Sequence, residues 1–260
     1  MFAIRKLWVL PVLLCLPGCF LNNSETKPPK KSVFLQLILE SKALHNAVES
    51  MKPLINAAIK EELGLEKDSE LDFFRTKPRY AVSLYYLNDM YEDGQKNLFS
   101  ALDENMEELR PLPTKVAFSD DLNFFGTTQD ELVVIMDDSE GELKSLHAMI
   151  KKLVYQVDAT YKAAHDARNL YERTKSERHS FLPHVTLGRI GSHSVKKHIK
   201  DAEQVDKIFA RIKERTKKIV SSSLEKFFAK EGRFVSFTSL CVLDPQSTTK
   251  DGLATILKSW

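Results

Sequence analysis

The sequence has few cysteines and few glycines, and each shortage excludes a class of protein. Of its 3 cysteines, Cys15 and Cys19 lie near the N-terminus, which leaves Cys241 alone in the rest of the chain. One thiol cannot form an intrachain disulfide, and Cys241 lies in the apolar run FTSLCVL, so we expect it to be buried and structural. The 9 glycines are not clustered, which excludes a glycine-rich phosphate loop.

Metal-ligand spacing and excess charge are lacking as well. No cysteines or histidines stand at the spacing of a metal site, so the sequence predicts neither a metal nor another cofactor. The formal net charge is +2, and Arg5 and Lys6 in the first 18 residues account for it. Because the remainder is formally neutral, we expect no strong binding to nucleic acids through long-range electrostatics.

The N-terminus has the three parts of a targeting segment. Two basic residues precede the apolar run LWVLPVLLCL, which is shorter than the about 20 residues that span a membrane as a helix. The small residue Gly18 then precedes Cys19, and this order predicts a signal peptide over residues 1–18. The stretch LPGC also resembles the lipobox of bacterial lipoproteins, although proline is less usual at its position.

The lipobox resemblance implies a lipid anchor. Cys19 would be lipidated, become the first residue of the mature chain and hold it on a membrane surface of a bacterial cell envelope. The alternative is a plain signal peptide that is cut nearby and yields a secreted protein. Residues 19–31 are then the lipidated N-terminus and a polar, proline-containing tether.

Residues 32–260 have no break in composition, and hydrophobic periodicity predicts one α+β domain there. The chain is long enough to bury a substantial core. Pro53 is expected to bend or divide the first helix. Strands are predicted over 32–40, 80–87, 114–126, 131–137, 181–190 and 234–244, and helices over 41–65, 95–109, 141–171 and 201–230.

The strand FLPHVTLGRI, residues 181–190, places an imidazole and a hydroxyl on one face. Side chains alternate along a strand, so His184 and Thr186 point one way while Val185 and Leu187 point into the core. With a pKa of roughly 6.5, imidazole can serve as an acid or a base near neutrality. The pair therefore indicates contact with a phosphate or another substrate; the alternative for His184 is an ordinary surface or core histidine.

The segment HVTLGR, residues 184–189, resembles the second signature of the two-histidine (2H) phosphoesterase superfamily, which includes the 2′-5′ RNA ligase-like proteins. The order of strands is similar too, so the resemblance covers nearly the whole predicted domain. It implies two lobes, with antiparallel sheets lining a central cleft and helices outside. It also implies metal-independent chemistry, in which one histidine is the base, another is the acid, and two hydroxyls bind phosphate. His184 would be catalytic and Thr186 substrate-binding.

The first family signature is incomplete in this chain. It should lie in RYAVSLYYL, residues 79–87, and aligning its hydroxyl on Ser83 puts Ala81 where the family has histidine. A shift of one residue would place Val82 or Tyr80 there, which restores no histidine. The resemblance thus makes Ser83 a substrate-binding residue in a cleft that has lost one proton carrier.

Two hypotheses follow from this loss. The first is a degenerate member that binds a small phosphodiester or nucleotide-type ligand; the alternative is an active 2′,3′-cyclic or 2′-5′ phosphodiesterase. One acid–base group contributes about 10² to 10⁴ in rate, so its loss favours the binding protein. The predicted export also favours the binding protein over an enzyme that acts on RNA, because RNA is scarce outside the cytoplasm. Arg79 and Tyr85, predicted on the same face as Ser83, and His179 in the preceding loop are candidate substitutes.

Overall fold

The computed structural model describes residues 30–172, 180–249 and 253–260. These residues contain eight strands and six α-helices. The predicted signal peptide, Cys19 and His179 lie outside the described residues. The elements are β1 (Lys30–Leu39), α1 (Lys42–Glu62), β2 (Phe74–Thr76), β3 (Tyr80–Tyr91), α2 (Glu92–Glu104), α3 (Met106–Leu109), β4 (Ala117–Phe125), β5 (Glu131–Asp137), α4 (Glu142–Ala164), β6 (His184–Ile190), α5 (Ser192–Lys197), α6 (Val205–Glu231), β7 (Ser239–Thr248) and β8 (Ala254–Ser259).

The eight strands form one antiparallel sheet, in the order β4-β5-β6-β3-β1-β7-β8, while β2 pairs with the far end of β6. This arrangement confirms the predicted α+β class with antiparallel pairing. The sheet is continuous, so the two predicted lobes are halves of one sheet. β6 and β3, which carry the two family-like segments, lie side by side in its interior.

The core lies on one face of this sheet. Val33, Leu35 and Leu37 alternate along β1 and are fully buried. They belong to the same apolar cluster as Leu44 and Ile55, which lie on one side of α1. The side chains at every second residue of β1 therefore pack in one core with the side chains at every third or fourth residue of α1.

Two helices differ from their predicted extents. Pro53 lies inside α1, which runs unbroken from residue 42 to residue 62, so the expected division is wrong. The buried side chains of Met51 and Ile55 flank the proline and hold both halves against the core, which outweighs the lost hydrogen bond. The helix predicted over 141–171 ends at residue 164, because Asp166 and Ala167 adopt positive φ angles that a helix cannot contain.

The last predicted strand is displaced along the chain. Residues 234–238 cross the end of the sheet, and the N–H of Thr238 donates to the carbonyl of Ile38. β7 therefore begins at Ser239 and continues past Pro245 to pair with β8. The short elements β2, α5 and β8 are not predicted, because three to six residues are too few to show a period, and the helix predicted over 95–109 is divided at Asn105 into α2 and α3. No helix within the described ranges is long and apolar enough to cross a membrane.

Candidate functional site

The two family-like segments meet at one pair of valines. β3 and β6 run antiparallel with Val82 opposite Val185, and both side chains are fully buried. In antiparallel pairing the flanking residues then fall opposite each other, so Ser83 lies opposite His184. Residues that face each other in this way have Cβ atoms about 4.5–5.5 Å apart. The hydroxyl and the imidazole therefore project side by side from the face opposite the core.

The same register places Ala81 opposite Thr186. The tripeptides Ala-Val-Ser and His-Val-Thr are consequently related by an approximate local twofold axis through the valine pair. This axis exchanges His184 with Ala81 and Thr186 with Ser83. Residue 81 therefore occupies the place, related by symmetry to His184, where the family signature puts a second imidazole.

His184 is held in a defined orientation. Its Nδ1 lies 2.8 Å from the carbonyl oxygen of Leu182, and the Phe125 ring meets the imidazole edge-on, with ring centroids 4.8 Å apart. A carbonyl oxygen can only accept a hydrogen bond, so Nδ1 carries the proton in the neutral ring. Nε2 then has a lone pair and can take a proton from a ligand or accept a hydrogen bond.

The Ser83 hydroxyl is oriented by Gln36, its neighbour on β1. The Gln36 side-chain amide donates to Ser83 Oγ over 2.8 Å, and the two residues are paired across the strands. Because Oγ accepts this bond, the Ser83 hydroxyl proton is free to donate to a ligand. Sequence reasoning did not include Gln36, although a lone amide in the apolar run SVFLQLILE was a signal.

Two cavities meet at Ser83. The smaller cavity, about 300 Å³, is lined by Ala81, Ser83 and Thr186 together with Lys77 and Arg79. The larger cavity, about 950 Å³, has a mostly apolar lining, and besides Ser83 its walls include Tyr86, Phe125, His147, Phe181, Leu182 and His184. The structure thus brings His184 and Thr186 together with Ser83, which lies about a hundred residues earlier in the sequence, at two adjoining cavities that share Ser83, here called the hollow.

The smaller cavity has a basic rim. Arg79 Nη1 lies 3.4 Å from the Ala254 carbonyl, and Lys77 Nζ lies 3.5 Å from a carboxylate oxygen of Glu131. Both contacts are long for hydrogen bonds, so neither holds its cation tightly. No Asp or Glu is among the described residues that line this cavity, so its lining has two cations, of which Lys77 has a long ion-pair contact with Glu131 outside it.

A bulge in β3 changes which tyrosine faces the hollow. Tyr85 pairs with Leu35 and Ser83 with Gln36, so Leu84 is an extra residue in the ladder. The bulge turns Tyr85 towards the core, where it is 7% exposed, so Tyr85 is not an exposed neighbour of Ser83 as predicted, although both residues line the larger cavity. Tyr86 is exposed in its place.

His147, on α4, also lines the larger cavity. Its Nδ1 lies 2.7 Å from the Leu84 carbonyl oxygen, and its ring stacks on Phe181 with centroids 4.2 Å apart. Burial lowers the pKa of His147 below its ordinary value, so the ring is neutral at pH 7. His147 thus lines the same cavity as His184 and Ser83, but not the smaller cavity that contains Ala81.

Arg189, on the same strand as His184, forms an ion pair with a buried carboxylate. Its Nε lies 3.1 Å from a carboxylate oxygen of Asp130, a residue only 1% exposed that also accepts a hydrogen bond from Ser192. Burial would raise the pKa of Asp130, but the hydrogen bonds and the Arg189 charge outweigh it and lower that pKa. Within the described ranges no three His, Cys, Asp or Glu side chains are grouped to hold a metal ion.

An antiparallel sheet with helices packed on it, and with two signature-like strands paired at its centre, defines the class: the chain has the 2H phosphoesterase-like fold. Usb1 of Kluyveromyces marxianus with uridine monophosphate is similar, at a TM-score of 0.55 and 14% identity over 88% of this chain and 98% of that one. A second Usb1 structure gives a TM-score of 0.54 and 16% identity over the same shares. No protein-family model and no curated protein matches the sequence.

Proposed function

We propose that this chain is an exported lipoprotein with a 2H phosphoesterase-like domain that has lost one catalytic histidine and binds a phosphodiester or nucleotide-type ligand. One observation carries the proposal. Ala81 stands at the place related by local symmetry to His184, while the hydroxyls of Ser83 and Thr186 remain in the hollow. In this proposal the two hydroxyls that bind phosphate are kept, and one of the two histidines that transfer protons is lost.

In this proposal the ligand lies across both cavities. Ser83 and Thr186 donate hydrogen bonds to phosphoryl oxygens, and fixed donors of this kind bind an anion without reorganising. The larger cavity takes the apolar or aromatic body of the ligand against Phe181 and Tyr86. The similar Usb1 structure contains uridine monophosphate, which supports a nucleotide-type ligand.

The second candidate is an active 2′,3′-cyclic or 2′-5′ phosphodiesterase, and the fixed orientation of His184 favours it. An assay of the full-length chain with 2′,3′-cyclic mononucleotides separates the candidates. Hydrolysis that disappears in His184→Ala supports the enzyme, with His184 as its acid or base. Equal background in both proteins supports the binding protein, since a single proton carrier cannot serve both the attacking and the leaving oxygen at once.

Thr186→Val tests the hydroxyl contact, because valine keeps the shape and removes the hydrogen-bond donor. A hydrogen bond to a charged group contributes about 1.5–3 kcal/mol, so affinity for uridine monophosphate is expected to fall about tenfold or more. Isothermal titration calorimetry on the full-length chain measures the change. The matched control is Thr160→Val on the exposed side of α4, outside both cavities. Equal affinity of wild type and Thr186→Val would remove Thr186 from the site.

The proposed lipid anchor depends on Cys19. Cys19→Ser is expected to abolish incorporation of a clickable fatty-acid analogue and to move the protein from the detergent phase to the aqueous phase on Triton X-114 partitioning. Cys15→Ser is the matched control, because Cys15 lies inside the predicted signal peptide. A wild-type protein without label would instead support the plain signal peptide and a secreted product.

A further inference from the structure

We propose that the smaller cavity is a subsite for a phosphomonoester dianion, and that Lys77 and Arg79 make the protein prefer a terminal monoester to a diester of the same nucleoside. This inference rests on the proposed function, since it assumes that Ser83 and Thr186 contact a phosphoryl group. It adds two specificity-determining residues and a narrower ligand class.

Charge is the first argument. A phosphodiester has one negative charge, whereas a phosphomonoester has about −1.5 to −2 at pH 7. The hydroxyls of Ser83 and Thr186 are neutral and serve either ligand equally well. Lys77 and Arg79 add two positive charges on the rim of the same cavity, where the described lining has no carboxylate. A monoester can match both cations if Lys77 exchanges its long contact with Glu131 for one with the phosphate.

The positions of the two cations are the second argument. The backbone N–H of Lys77 donates to the Leu187 carbonyl over 3.0 Å, which fixes the lysine next to Thr186 on the neighbouring strand. Arg79 lies directly before β3 and lines the same cavity as Ala81. Their contacts with Glu131 and Ala254, at 3.5 and 3.4 Å, are weak enough to be exchanged for contacts with a phosphate.

The shape of the hollow is the third argument. A linear diester joins two separate organic substituents, and each needs space on its own side of the phosphorus. The larger cavity offers about 950 Å³ of mostly apolar space on the His184 side. On the other side the smaller cavity offers about 300 Å³, bounded by Leu243, Pro245 and Ala254 and rimmed by cations. One organic substituent and a terminal phosphate fit this arrangement better than two substituents do.

Calorimetry with uridine 3′-monophosphate, uridine 2′,3′-cyclic monophosphate and uridine tests the inference on the full-length chain in detergent. We expect the monoester to bind about tenfold or more tightly than the cyclic diester. Arg79→Gln and Lys77→Gln should each weaken monoester binding about tenfold, because each removes a charge-assisted hydrogen bond, and should change diester binding less. Arg75→Gln is the matched control, since Arg75 is an exposed cation on β2 that does not line the cavity.

The outcomes separate the inference from the proposed function. Equal affinities for monoester and diester, both much tighter than for uridine, would overturn the inference and leave the phosphoryl-binding cleft in place. A preference for the monoester that survives both substitutions, in variants with wild-type circular dichroism spectra, would remove Lys77 and Arg79 from the subsite and overturn the inference as stated. Binding of uridine as tight as that of its phosphates, or no binding of any probe, would overturn both proposals.

Discussion

Ala81→His is expected to create or raise 2′,3′-cyclic phosphodiesterase activity by about 10² to 10⁴, the contribution of one positioned acid–base group. The register of β3 and β6 puts the new imidazole at the place related by local symmetry to His184. The smaller cavity, about 300 Å³ and lined by Ala81, provides the space for it. Initial rates of uridine 2′,3′-cyclic monophosphate hydrolysis by the full-length variant give the measurement.

Two controls isolate the effect of position from that of adding an imidazole. Ala254→His introduces the same side chain into the wall of the same cavity, but on β8 and away from the local twofold axis, and should give no activity. Ala81→His combined with His184→Ala should return the rate to background, because the reaction again has one proton carrier. A folded Ala81→His protein without activity would argue that the two segments do not form a family-like cleft.

Gly188→Ala is expected to destabilise the protein by about 1–3 kcal/mol, the usual cost of overpacking a close contact. A Cβ atom at this position would lie 2.4 Å from Cζ of Phe74 and 2.7 Å from the carbonyl oxygen of Arg75. Phe74 is fully buried, and the Arg75 carbonyl belongs to β2, which pairs with β6. Neither group can withdraw without separating these strands. Urea denaturation followed by circular dichroism measures the loss.

The matched control for this substitution is Gly191→Ala. A Cβ atom there would have no neighbour nearer than 3.6 Å, and the φ angle of −71° suits any residue. We expect its stability to stay within about 0.5 kcal/mol of wild type. Similar denaturation midpoints for Gly188→Ala and wild type would mean that β2 is not packed against β6 as the structure has it.

The pattern of residues within each strand was sufficient to predict much of the candidate site. Alternation alone indicates that His184 and Thr186 share a face opposite Val185, which the structure bears out. It also predicts the β-type character of residues 80–87 and the position of Ala81 relative to Ser83. These are local properties, in which each residue is constrained by its neighbours along the chain.

The relations between distant segments could not be predicted in this way. Nothing in either strand specifies that Val82 faces Val185, since pairing over a hundred residues depends on the whole sheet. The bulge at Leu84 reverses the faces of the two tyrosines that follow, and a strict twofold repeat has no place for an extra residue. His147 likewise enters the larger cavity only because α4 packs where that bulge leaves a carbonyl group exposed.

The backbones of β3 and β6 are related by the local twofold axis, but their side chains make the two ends of the hollow different. Two symmetry-related backbones would accept a ligand equally well in either orientation. With imidazole at residue 184, methyl at residue 81, and both Lys77 and Arg79 lining the cavity that contains Ala81, the proposed ligand is matched in one orientation, whereas the reverse would place its organic body beside these two cations. Under the proposed function, alanine in place of a second imidazole thus leaves a cleft that binds its ligand by one terminus and in one direction.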